Sequence, residues 1–101
     1  MISLASAYTI AKIHENEAKW WIEFTRKECR KLNKEKSHND KFFFEQIYKG
    51  LKEDSEKRIK DFAKAVSSFK SYPTDYNYTR MIENNMWLMT SLKNERRFCN
   101  R

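Results

Sequence analysis

The chain has 101 residues and a mass of 12.3 kDa, enough for one domain spanning 1–101 and no second. Its single Gly and single Pro are too few for a sandwich or barrel, which turns about every 8–12 residues, and 40% hydrophobic residues are too many for a disordered tail. The net charge of +7 excludes an acidic mimic of DNA and points to an anionic partner.

A first helix is expected over about 3–33. Ile2, Ile10, Ile13, Trp20 or Trp21, Phe24 and Leu32 recur at intervals near three and four, and no Gly or Pro interrupts them. Of the adjacent tryptophans, one is expected to point inward. Ser37-His38-Asn39-Asp40 reads as a linker in which Asn39 or Asp40 caps the next helix. A second helix is expected over about 40–70, with Gly50 and Glu53-Asp54-Ser55 allowing a break near 50–55; beyond them Ile59, Phe62, Ala63, Val66 and Phe69 resume a helical stripe. Pro73 removes a donor and pushes Tyr72 out of helical geometry, and Thr74 or Asp75 can cap a third helix over about 75–97. Its apolar residues Tyr78, Met81, Ile82, Met86, Leu88, Met89 and Leu92 cover more than half its circumference, with Trp87 read as core. The fold class is thus all-α with three to four helices, an antiparallel C-terminal hairpin turning at Pro73 and an oligomeric bundle.

Catalytic motifs are absent: no Gly-rich phosphate loop, no His-Glu-x-x-His, and no Ser or Cys nucleophile with a placed His. The reading is a non-enzyme without cofactor. His14 and His38 share no motif with a Cys or carboxylate, so no metal site is expected. No run of about 20 apolar residues exists to span a membrane, and Met1 to Ile13 lacks the basic and apolar regions of a signal peptide, which predicts a cytoplasmic protein. Cys29 and Cys99 could form one bridge, but neither belongs to a Cys-x-x-Cys pair, and the cytoplasmic reading favours two reduced thiols.

By thirds of the chain, net charge is +3 over residues 1–36, +2 over 37–72 and +2 over 73–101, an excess in every segment. The densest run contains Arg26, Lys27, Arg30, Lys31 and Lys34, a candidate nucleic-acid face, although cations there also complement the helix macrodipole. Phe42, Phe43 and Phe44 exceed what one narrow stripe can bury and predict an interface with a second copy or a host protein.

Thr79-Arg80-Met81-Ile82-Glu83-Asn84-Asn85-Met86-Trp87 resembles the last helix of the phage cyclic-oligonucleotide sponges, the anti-CBASS and anti-Thoeris proteins, which reads roughly Thr-Lys-Leu-x-Glu-x-x-Met-Trp. The similarity covers about 40 C-terminal residues, including the helix Lys57 to Lys70 and the break at Pro73. It departs at the turn, where Pro73-Thr74-Asp75-Tyr76 stands in place of an acidic-Ser-Arg-Glu-like segment. The resemblance implies a phage-type counter-defence protein, a helical oligomer that sequesters a cyclic nucleotide messenger in a bacterial cytoplasm. In that scheme Tyr8 stacks on a base, Lys12 holds phosphate, and Arg26 and Arg80 add charge.

Overall fold

The computed structural model describes residues 2–100, apart from the side chains of residues 38–40. Within them the chain forms α1 (Leu4–Lys34), α2 (His38–Ser71) and α3 (Asp75–Cys99), with no strand. The Ser3 hydroxyl accepts from the Ser6 amide at 3.1 Å, and the Thr74 hydroxyl accepts from the Asn77 amide at 3.1 Å, so α1 and α3 start on side-chain caps that satisfy otherwise orphaned donors. Asn39 and Asp40 fall inside the first turn of α2 rather than ahead of it, and their capping role lies outside the described residues.

Cross-helix contacts set the directions. Phe44 meets Phe98, Ser55 meets Glu95 and Phe69 meets Tyr78, so residue numbers rise on α2 as they fall on α3 and the two helices run antiparallel. At one end the Ile2 amide donates to the Pro73 carbonyl at 3.2 Å, and at the other Cys29 bonds to Cys99, so α1 runs parallel to α3. The result is an up-down-up bundle of 55 × 18 × 15 Å. Between α2 and α3, buried Pro73 stops the helix and Asn77 Nδ2 donates to the Tyr72 carbonyl at 2.8 Å across the turn.

The main core joins Ala7, Ala11 and Ala18 of α1 to Phe62, Ala65, Val66 and Phe69 of α2 and Met81, Leu88 and Leu92 of α3. The alanines on α1 let its backbone approach the bulkier residues of the other two helices. A second cluster, Cys29, Phe44 and Cys99 with Leu32, Tyr48 and Phe98 against it, closes the opposite end.

Of the two forms open to the second helix, one long helix or two shorter ones, the long one is found: α2 runs through 50–55, where Ser55 is fully buried and bonded to the other helices. Three expectations are corrected. Cys29 and Cys99 are not separate thiols. Parallel α1 and α3 end at the same level and place their Cα atoms 5.2 Å apart, within disulfide reach. Phe44 is buried, stacked between Tyr48 at 5.4 Å and Phe98 at 5.1 Å, leaving Phe42 and Phe43 as the exposed members of the triplet. Trp87 lies on the surface with the Arg58 guanidinium 5.4 Å from its ring, because Leu88, its neighbour in sequence, takes the inward position. Of the tryptophan pair, Trp21 packs against the core and Trp20 is exposed.

Two stability measurements follow from this packing. A Cβ added at Gly50 meets nothing within 4 Å, so Gly50→Ala should raise stability in urea by about 0.5–1 kcal/mol, the helix-propensity difference. The Cys29–Cys99 bond closes a sequence separation of 70, and reduction should lower stability by about 4 kcal/mol in the loop-entropy account, read as a shift in the urea midpoint with and without reductant.

Candidate functional site

Arg26 is largely turned into the bundle. Its Nη1 donates to both carboxylate oxygens of Glu95, at 2.9 and 2.7 Å, and its Nη2 donates to Ser55 Oγ at 2.9 Å. The Tyr48 hydroxyl donates to Glu95 at 3.2 Å, and Ser55 Oγ also contacts the carboxylate, so α1, α2 and α3 all meet at one anion with no solvent exposure. Burial pushes the Tyr48 phenol above its ordinary range. Beside this cluster Arg96 donates to Thr25 Oγ1 at 2.6 Å and lies 4.8 Å from the Trp21 ring centre, and burial pulls its guanidinium below its usual range. The Arg26 and Glu95 charges are paired inside the bundle. The cluster therefore fixes helix register, and the Arg26 guanidinium is engaged with Glu95 and Ser55.

The remaining basic residues of α1 are different. Lys27, Arg30, Lys31 and Lys34 are exposed, and no ion pair engages them among the described residues. Folding adds to them. The end of the bundle from the Arg26–Glu95 level outward, residues 26–52 and 93–100, is about a third of the chain and holds twelve basic and five acidic residues, a net +7; residues 2–25 and 53–92 hold eight and nine, a net −1. Helix dipoles do not account for this. Two helix C-termini and one N-terminus meet at that end, together worth roughly half a negative charge, far less than the excess. The molecule is electrically polarised along its long axis, with its positive end at the disulfide.

Tyr8 and Lys12 lie toward the other end. Lys12 lines a groove of about 580 Å³ between α1 and α2, with Lys19, Lys70, Glu15 and Glu23 on its walls and Ile22, Phe62 and Val66 beneath. Tyr8 is exposed beside it, its ring 5.4 Å from Lys70 Nζ, which also pairs with Glu15 at 2.5 Å. Arg80 sits on α3 with its guanidinium 5.8 Å from the Tyr76 ring and does not line this groove. Lys12 thus lines the groove, Tyr8 lies outside it against Lys70, and Arg26 and Arg80 do not line it. No group of three His, Cys, Asp or Glu among the described residues could hold a metal ion.

Sequence reasoning missed Glu95, Ser55 and Tyr48. The signal for Glu95 was available: Leu88, Leu92, Glu95 and Cys99 follow a 4-3-4 spacing, which puts a carboxylate in the apolar stripe and demands a buried cation opposite. Comparison with protein-family profiles, curated protein sequences and solved structures finds no match to this chain.

The buried pair predicts a non-additive mutant series. Arg26→Met alone strands a buried carboxylate and should cost about 3–5 kcal/mol, whereas Arg26→Met combined with Glu95→Met should cost clearly less than the single change, measured by urea unfolding.

Proposed function

We propose that this chain is a non-enzymatic binder of nucleic acid that engages the phosphate backbone with the basic end of its bundle. The observation that supports this is the polarised charge: Lys27, Arg30, Lys31 and Lys34 project from α1 at the end of the bundle that carries a net +7, and Lys93 and Arg97 share that end. A polyanion gains more from such clustering than a small ion does, because each neutralised phosphate releases condensed counterions. The narrow bundle presents this charge without a deep pocket, which suits a polymer lying across it.

A second reading, sequestration of a cyclic oligonucleotide, is favoured by the groove beside Tyr8 and Lys12, where an exposed ring, lysines and an apolar floor lie together. The phage counter-defence role and self-association belong to that reading. Docking on a host protein through Phe42 and Phe43, exposed with ring centres 5.8 Å apart, is a further proposal of the same class.

Fluorescence anisotropy with a labelled oligonucleotide over a salt series separates the first two readings. Replacing Lys27, Arg30, Lys31 and Lys34 together by Ala should weaken binding and flatten the log–log salt slope by about 3, at roughly 0.7 per phosphate contact on a single strand. Tyr8→Ala should leave that slope unchanged. In the second reading, calorimetry with cyclic di- and trinucleotides shows binding without turnover, and Tyr8→Ala costs about 5- to 150-fold in affinity, the equivalent of one stacked base.

A further inference from the structure

On the solvent side of α1, residues 13, 17, 20, 24, 27, 31 and 34 follow an unbroken 4-3 spacing, which places them on one stripe of the helix. They are Ile13, Glu17, Trp20, Phe24, Lys27, Lys31 and Lys34, and all seven are exposed. The two aromatic rings in the middle of this stripe are organised. Trp20 and Phe24 are parallel within 6° at 5.2 Å between centres, and the edge of Trp21 braces Trp20 at 4.9 Å and 88°. The Arg96 guanidinium lies over the Trp21 ring, 4.8 Å from its centre. Trp20 nonetheless keeps 56% of its surface in water, an unusual place for a large ring already fixed in orientation.

We propose that this stripe is a binding track for single-stranded nucleic acid, in which Trp20 and Phe24 form a stacking platform for bases and Lys27, Lys31 and Lys34 hold the phosphates that follow. The inference rests on the nucleic-acid reading above and adds the strandedness and the aromatic half of the site. Charge complementarity selects the occupant: Lys27, Lys31 and Lys34 continue from the rings on the same face, Glu23 flanks the rings at its edge, and Glu17 on the other side of Trp20 repels a polyanion and ends the track. The exposed rings select a single strand, because base stacking on a side chain needs an unstacked base. A duplex could meet the lysines but would offer Trp20 no unstacked base. Rings that are ordered before binding also lose little rotamer entropy when a base lands on them.

The test compares a single-stranded oligonucleotide with a duplex of the same length, on the full chain, by anisotropy and tryptophan emission. Trp20→Ala should lower single-strand affinity about 5- to 150-fold and leave duplex affinity within about twofold. Trp20→Phe, which keeps a stacking face, should recover most of the loss, and the emission quenched by a single strand in the parent should be largely unquenched in that variant. Equal affinity for both polymers with a neutral Trp20→Ala overturns the track while leaving the basic end as the binding surface. If Trp20→Ala instead converts a dimer to a monomer in light scattering without changing affinity, a second copy covers the stripe and the track is overturned. Absence of binding to either polymer overturns the track and the nucleic-acid reading together.

Discussion

A carboxylate with no access to water sits where three helices meet, and its solvation has to come from the protein. Glu95 receives Arg26 from α1 and Ser55 and Tyr48 from α2, so each helix contributes a group that the others need. Apolar stripes of Ala, Val, Leu and Met are forgiving: a slide of one turn exchanges one hydrophobic contact for another. It would also leave Glu95 without its guanidinium, and an unpaired buried charge is expensive enough to exclude the alternative. The ion pair thus does for axial register what the apolar residues alone do not. The Cys29–Cys99 bond, one turn further along α1 and α3, ties the same two helices at the same level.

Register and direction together decide the electrostatics. α1 and α3 run parallel, so their basic C-terminal turns arrive at one end, and the lysine-bearing start of α2 joins them there. Glu53, Asp54, Glu56 and Asp61 of α2 and Glu15, Glu17 and Glu23 of α1 lie away from that end. A chain whose thirds are all modestly positive becomes a rod with one strongly positive end. This is the property on which a nucleic-acid function depends, and it disappears if α1 and α3 are separated.

Much of the fold was readable from residues. The dearth of Gly and Pro, the spacing of apolar side chains and the stop at Pro73 define three helices whose ends fall close to Lys34, Ser71 and Cys99. Caps at Ser3 and Thr74 are local chemistry. Gly50 left a break open without requiring one, because a lone glycine weakens a helix by about 1 kcal/mol, less than the packing on either side of it returns. Phe44 and Trp87 misled because neighbours in sequence point in different directions on a helix, and a run such as Phe42-Phe43-Phe44 does not say which member is inward. At the candidate site, Lys27, Arg30, Lys31 and Lys34 were readable as exposed cations, but Arg26 in the same run was not separable from them. Its spacing puts it on the flank of α1 that faces α2, and only the presence of Glu95 across the interface shows that it is consumed there.

The sequence by itself determined the helical class, the approximate helix ends and the sign of the charge, because each depends on interactions within a few residues: backbone propensity, capping and composition. Tertiary structure decided which cysteines meet, which arginine is buried, which aromatics stay wet and where the charge accumulates. These depend on pairs separated by 40 to 70 positions, such as Ser55 with Glu95 and Cys29 with Cys99, and no local spacing encodes them. They are set by the direction and register of packed helices, which are collective properties of the three apolar faces and the one buried ion pair between them.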